Sequence, residues 1–153
     1  MIKISKLADY ATVIMDFLAS QQSHRYSAAL IATAVHISTP TVSKILKLLH
    51  EAQLVNSERG VNGGYQLSRP PEEISLTAII AAIDGQPAMT ECSKGDICSL
   101  NNVCHLRGNW QFINRLIVSM LNNVSVADMS RPLGQVQEKV KLRYHACDSM
   151  TQD

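Results

Sequence analysis

Residues 28–51 contain two apolar-periodic stretches that meet at His36-Ile37-Ser38 and resume at Thr39-Pro40. So short a link leaves no room for an independent loop, and the two stretches must pack as one angled pair. Upstream, Ser27 offers an N-cap hydroxyl to AALIATAV, residues 28–35, which holds good helix formers and no breaker. Downstream, Thr39 supplies a cap hydroxyl and Pro40 takes the first helical position, where its missing N–H costs nothing. The helix that follows, TPTVSKILKLLHEAQL, turns Val42, Ile45, Leu46, Leu49 and Leu54 inward and leaves Thr41, Ser43, Lys44, Lys47 and His50 on the other face. Short helix, tight turn and polar-faced helix together predict a helix-turn-helix.

Both flanks extend this unit. Ile4, Leu7, Ala8, Ala11, Ile14, Met15 and Leu18 recur every three or four residues, which predicts an amphipathic helix ending at the polar SQQSHRY. On the other side, VNSERGVNGGYQLSRP alternates around Val55, Ser57 and Arg59, turns through Gly60-Val61-Asn62-Gly63-Gly64 and returns through Tyr65-Gln66-Leu67. Asn-Gly-Gly supplies the positive φ values that a tight hairpin demands, and a hairpin directly after the third helix is a wing. The expected fold class is mainly α with a small β-wing: a winged helix-turn-helix domain plus a long dimerisation helix.

The exposed start of the third helix presents hydroxyl and ammonium groups suited to the base edges and phosphate oxygens of a major groove. Ser38, Thr39, Thr41, Ser43, Lys44 and Lys47 are the candidate reading residues. Such a set also suits a merely solvated helix face; the wing, following in the required order, favours double-stranded DNA. There Arg59 stands where a guanidinium enters a minor groove, and Asn62 and Gly63 at the tip let the backbone approach phosphates. The glycines do not form a nucleotide-phosphate loop, because no Gly-Lys-Ser/Thr ending or helix start follows them. Charge points the same way: residues 1–70 carry seven Lys/Arg against four Asp/Glu, and residues 71–153 seven against nine. Affinity for a polyanion therefore belongs to the first part, which also holds His24, His36 and His50.

A chain of 153 residues suffices for one ordinary core with an appended arm, not for additional catalytic domains. No apolar run approaches the roughly 20 residues that span a bilayer, and MIKISKLADY lacks the apolar core and cleavage site of a signal peptide. The expected compartment is the cytoplasm, with no membrane partner. No His/Asp or Ser/His grouping has the context of a base and nucleophile, so enzymatic activity is not expected.

Arg69-Pro70-Pro71 closes the wing, and Ser75 caps LTAIIAAIDG, a connecting helix with Ile79, Ile80 and Ile83 inward and Gly85 at its end. Further on, Trp110, Ile113, Ile117, Met120, Leu121 and Val124 mark a long helix that is otherwise polar apart from Phe112, Leu116 and Val118. After a completed small domain, such a stripe finds its most economical partner in a second copy, and a homodimer is expected. Ser125-Val126-Ala127-Asp128 has the form of a capping box opening one more short turn, and the mixed-charge remainder reads as a tail. The expected organisation is a DNA-binding domain over 1–70, a connecting helix over 71–89, a cysteine loop over 90–107, a dimerisation helix over 108–129 and a tail over 130–153.

Cys92, Cys98 and Cys104 fall in TECSKGDICSLNNVCH with five residues in each gap, whereas Cys147, forty-three residues beyond, is an isolated thiol by spacing. In a reducing compartment this pattern favours metal binding or redox chemistry over disulfides. Structural zinc prefers paired cysteines about two to four residues apart, and gaps of five suit it poorly. Three thiolates at wider, equal intervals can wrap a larger object such as an iron–sulfur cluster, although its usual spacings differ too. On chemistry alone zinc stays open.

KISKLADYATV at the start, TPTVSKILKLL, RGVNGGYQL, and TEC-x5-C-x5-C followed by NW-x-x-IN together resemble the Rrf2 family of winged-helix regulators, which includes IscR and NsrR. The resemblance runs over nearly the whole chain to about Met129, and within the family the chain looks most like the SUF-system regulators, repressors of genes for iron–sulfur cluster assembly. It implies a homodimer crossing through the long helix on a palindromic operator. It also implies a [2Fe-2S] or [4Fe-4S] cluster in each subunit, ligated by Cys92, Cys98 and Cys104, whose presence or loss changes operator choice. One ligand position stays open. IscR-like members place a histidine three residues after the last cysteine, where this chain has Arg107 and the histidine is instead His105. NsrR-like members use an acidic residue near the start of the partner chain, a place matched here by Asp9. Asp9 of the partner subunit ranks ahead of His105, because a residue directly after a ligating cysteine often points away from the same metal, and Glu91 comes third; water or a small thiol is the alternative to all three. The alternative is a zinc-stabilised or cluster-free winged-helix regulator responding to thiol oxidation or nitric oxide.

Overall fold

The computed structural model describes residues 4–21, 24–60, 62–90, 93 and 104–132. Among them, four helices start on a serine whose side-chain oxygen accepts the amide three residues on: Ser5 from Ala8, Ser27 from Leu30, Ser75 from Ala78 and Ser125 from Asp128. Each cap satisfies an N–H that a helix start leaves without a partner, a contribution of about 1 kcal/mol. In chain order the elements are α1 (Lys6–Ser20), α2 (Ala28–Val35), α3 (Thr39–Glu51), β1 (Val55–Glu58), β2 (Gly64–Leu67), a 3-10 turn (Pro71–Glu73), α4 (Leu76–Asp84), α5 (Arg107–Asn122) and α6 (Val126–Met129). The architecture is mainly α with a two-stranded antiparallel wing, as expected.

Ala8, Ala11, Ile14, Met15 and Leu18 form the buried stripe of α1. Ile4, grouped with them in the sequence, precedes the helix and is exposed, because the chain enters α1 only at the Ser5 cap. Met15 and Leu18 share one core with Ile31 of α2 and with Val42, Ile45, Leu46 and Leu49 of α3. Each fully buried Ile or Leu there contributes about 1.5–3 kcal/mol. α2 stops where His36 adopts the left-handed conformation (φ 55°) and the Ile37 N–H reaches the Ala32 carbonyl at 3.1 Å. The chain turns by 116° between α2 and α3, within the range of helix-turn-helix pairs.

Both ends of α3 differ from the sequence expectation by a definable chemistry. Ser38, not Thr39, is the N-cap residue, so Pro40 takes the second helical position. An N-cap oxygen serves the second or third amide of a helix. Proline has no such amide, and the Ser38 hydroxyl pairs with the Thr41 hydroxyl at 2.8 Å instead. At the other end the helix stops at Glu51 rather than running to Leu54. Gln53 is left-handed (φ 59°), its N–H meets the His50 carbonyl at 2.9 Å, and the Leu54 N–H meets the Leu49 carbonyl at 2.9 Å. This is a Schellman closure, with Leu54 and Leu49 both buried as its apolar contact.

β1 and β2 pair antiparallel from Val55↔Leu67 to Glu58↔Gly64. Tyr26 adds a further bridge: its N–H donates to the Tyr65 carbonyl at 3.1 Å, and the Tyr65 N–H donates back at 2.9 Å. Positive φ values fall at Gly60 (115°) and Gly64 (148°) and not at Gly63, which corrects the assignment of that role to all of Asn-Gly-Gly. The hairpin closes by a Gly63 N–H bond to the Gly60 carbonyl at 3.0 Å, and Gly63 is required for space: a Cβ would lie 2.4 Å from the Glu58 carbonyl oxygen.

α4 buries Thr77, Ile79 and Ile80, packs Ile83 against the core and ends at Gly85 (φ 82°). α5 lies alongside it, with the Thr77 hydroxyl on the Val118 carbonyl at 3.4 Å. The Leu76 N–H to the Val124 carbonyl (2.8 Å) and the Val126 N–H to the Ile74 carbonyl (2.9 Å) fasten the start of α6 to the start of α4. Ser125 and Asp128 form the capping box that the sequence shows. No single helix among the described residues is long and apolar enough to cross a membrane. Expectations for Glu91, Cys92, Cys98 and Cys147 lie outside the described residues.

Candidate nucleic-acid interface and cysteine site

Burial of Val42, Ile45, Leu46 and Leu49 fixes the rotation of α3 and leaves its opposite side in solvent. Ser38, Thr39, Ser43, Lys44 and Lys47 are exposed there, while Thr41 is half-buried by its contact with Ser38. Lys47 lies 3.9 Å from Glu51, an exposed pair too weak to withhold the ammonium from another anion. Lys44 has no ion-pair partner among the described residues.

The wing stands directly after this helix, joined to it through the Schellman turn and through the His50 ring, whose Nδ1 lies 3.1 Å from the Val55 carbonyl oxygen. Arg59 and Asn62 are exposed and Gly63 is half-buried. The base of the wing is held by the Tyr26 bridge, by an edge-to-face contact of Phe17 and Tyr26 with centroids 5.2 Å apart, and by an ion pair of Arg25 with Glu58. Arg25 has no sequence signal as a wing residue, because its partner is distant in the chain. Thr33 and His36 carry no sequence signal of a place beside this face either. With Ser38 and Thr39 they line a crease of about 420 Å³ between α2 and α3, beside the exposed side of α3. The left-handed cap that places His36 there is tolerated by few residue types, histidine among them.

The cysteine segment enters from α4. Gly85 caps the end of α4, the Met89 N–H donates to Asn114 Oδ1 on α5 at 2.9 Å, and the hydroxyls of Thr90 and Ser93 lie 2.9 Å apart. At its exit Cys104 is half-buried with a free thiol, His105 is exposed and Arg107 begins α5. Asp9 is exposed in the first turn of α1. Among the described residues no group of three or more His, Cys, Asp or Glu side chains gathers to hold a metal, and Cys92 and Cys98 lie outside them. What fits an iron–sulfur cluster is the donor set: thiolate sulfur is its ordinary ligand, and Cys104, the one described donor of the three, is accessible and unpaired.

Residues 4–132 match the Rrf2 family model, described as iron-dependent transcriptional regulators. A helix-turn-helix-type transcriptional regulator of Haemophilus influenzae is 31% identical over 128 residues, covering 83% of this chain and 85% of that protein. The transcriptional regulator NsrR of Halalkalibacterium halodurans is 26% identical over 144 residues, covering 92% and 99%. Among solved structures, CymR, the global cysteine regulator of B. subtilis, superposes with a TM-score of 0.70 at 26% identity, covering 85% of this chain and 97% of CymR. IscR of T. potens superposes with a TM-score of 0.62 at 27% identity, covering 84% and 85%.

Proposed function

Because this chain belongs to the Rrf2 family of transcriptional regulators, we propose that it is a repressor that senses an iron–sulfur cluster and controls SUF-type genes for cluster assembly. The observation that carries the DNA half of the reading is the joining of two exposed surfaces by one rigid turn: the polar side of α3 and the wing. Ser38, Thr39, Thr41, Ser43, Lys44 and Lys47 meet base edges and phosphates of a major groove, and Arg59, Asn62 and Gly63 meet the adjacent minor groove and its backbone. α5 buries none of its residues fully and leaves Trp110, Phe112, Ile113, Leu116 and Met120 exposed. Covering this face with a second copy gives a homodimer whose two reading helices match a palindromic operator.

Cys92, Cys98 and Cys104 hold the cluster, with Asp9 of the partner subunit, or His105, at the remaining position. When bound, the cluster supplies a centre sensitive to oxidants, nitric oxide and iron supply. The chain's own residues convert its presence into geometry, because the segment that carries the thiols joins α4 to α5. A second reading, without a cluster, has the half-buried thiol of Cys104 respond directly to oxidation; the likeness to CymR of Staphylococcus aureus in its oxidized form, at a TM-score of 0.63 and 25% identity, favours it.

Arg59→Ala tests the DNA half. Its side chain is exposed and outside the core, so thermal unfolding is expected to match the wild type. Affinity for a palindromic operator is expected to fall about tenfold, with a shallower salt dependence by about one phosphate contact. Titrations at several salt concentrations measure both; unchanged affinity removes Arg59 from the interface.

A further inference from the structure

The last residue of α4 is bonded to the N-cap residue of α1, across 79 positions of sequence. Asp84 accepts the Ser5 hydroxyl at 2.7 Å through Oδ1 and the Ser5 N–H at 3.3 Å through Oδ2. The same Ser5 oxygen accepts the Ala8 N–H at 3.1 Å and is the N-cap of α1. A hydroxyl has one proton to give. By taking it, the Asp84 carboxylate orients the Ser5 lone pairs toward the helix and so completes the cap.

The position of Asp84 is unfavourable for its own helix. A carboxylate at a helix C-terminus faces the negative end of the macrodipole, whereas at the N-terminus of α1 it faces the positive end. The residue therefore serves α1. The next residue is Gly85, whose φ of 82° disfavours residues with a side chain and whose missing Cβ would touch nothing within 4 Å. Glycine is favoured there by conformation and not by crowding. A few residues on, Met89 is held by Asn114 of α5, and the thiol-bearing segment begins. The start of α1 also carries Asp9, whose N–H donates to the Ser5 carbonyl at 3.0 Å.

We propose that the Asp84–Ser5 contact is the joint through which the state of the cysteine segment reaches the DNA-reading unit, Asp84 acting as a positioning residue. A change in the segment turns about Gly85 and displaces Asp84. The cap of α1 then loosens, and α1 transmits this to α3 through the core that Ile14, Met15 and Leu18 share with Ile45 and Leu49. The proposal rests on the reading of the cysteine segment as the sensor, but not on which chemistry its thiols perform.

The full-length protein with Asp84→Ala, and separately with Ser5→Ala, is titrated with operator DNA in two thiol states: as isolated without air, and after removal of any metal and alkylation of the thiols. The wild type is expected to differ in affinity between states by a factor in the allosteric range of about 5–150, and both variants to bring the two states within about twofold. Iron content and visible absorption are expected to stay at wild-type levels, which a general loss of structure does not allow. Combining the two substitutions is expected to leave the ratio where either one alone puts it, since both break the bond from the Ser5 hydroxyl to Asp84. A variant that keeps the wild-type ratio, or a wild type with equal affinities in both states, overturns the joint. A colourless wild type that still shows the ratio overturns the cluster and leaves the joint standing.

Discussion

Gly64→Ala is expected to lower the stability of the protein by about 3 kcal/mol, equivalent to a fall in melting temperature of roughly 6–12 °C. Two costs combine at that position. The backbone φ of 148° lies where residues with a side chain are strained, and a Cβ would come within 2.7 Å of both the carbonyl carbon and oxygen of Tyr26. Those are backbone atoms of the bridge that ties the wing to the start of α2, so nothing flexible can yield. Relief requires the Tyr26–Tyr65 bridge to open, which exposes both amides and frees the hairpin that carries Arg59. Operator affinity is expected to fall more than for Arg59→Ala, because the wing as a whole is displaced. Thermal unfolding with amide hydrogen exchange at Tyr26 and Tyr65 measures the effect; wild-type melting and protected amides contradict this account of the wing.

Cys104→Ala is expected to remove all visible absorption and most bound iron while leaving a folded protein with unchanged secondary structure. Cys104 is half-buried and outside the core, so the loss of its sulfur as a packing group costs about 1 kcal/mol or less. As a cluster ligand, by contrast, it is one of three thiols, and two thiolates with one oxygen or nitrogen donor form a much weaker iron site. The large effect on the chromophore and the small effect on the fold distinguish a ligand from a structural cysteine. Retained colour at full iron content excludes Cys104 from the site.

Much of the winged helix-turn-helix is legible in the sequence because its signals are local. Ser27, Ser75 and the Ser125/Asp128 box announce helix starts within three residues of themselves, and the apolar periods of α1 and α3 lie within single helices. The errors also have local chemistry behind them. Ser38 caps α3 in place of Thr39, so Pro40 falls at the second helical position and removes an amide that the cap oxygen would serve. Gln53 takes a left-handed conformation that glycine usually marks, so the end of α3 has no visible stop.

What the sequence conceals is contact between distant positions. Neither the Tyr26 bridge to Tyr65, nor the Arg25–Glu58 pair, nor the Asp84–Ser5 joint leaves a trace in spacing, because each joins elements brought together only by the shared core. The exposed apolar side of α5 is legible as a stripe, and α4 lies against another side of the helix. The three cysteines are legible as a set by type and spacing. Spacing alone does not bring them together, since in a segment without periodicity it leaves side-chain direction open.

The central claim is that thiols of the segment between α4 and α5 bind an inorganic cluster. Protein isolated and kept without air, analysed together for visible absorption, iron and acid-labile sulfide, tests it most directly. The account predicts a coloured protein with iron and sulfide in equal amounts, about two or about four of each per chain. A colourless protein that contains no sulfide, and takes up none when supplied with iron and sulfide under reducing conditions, contradicts it.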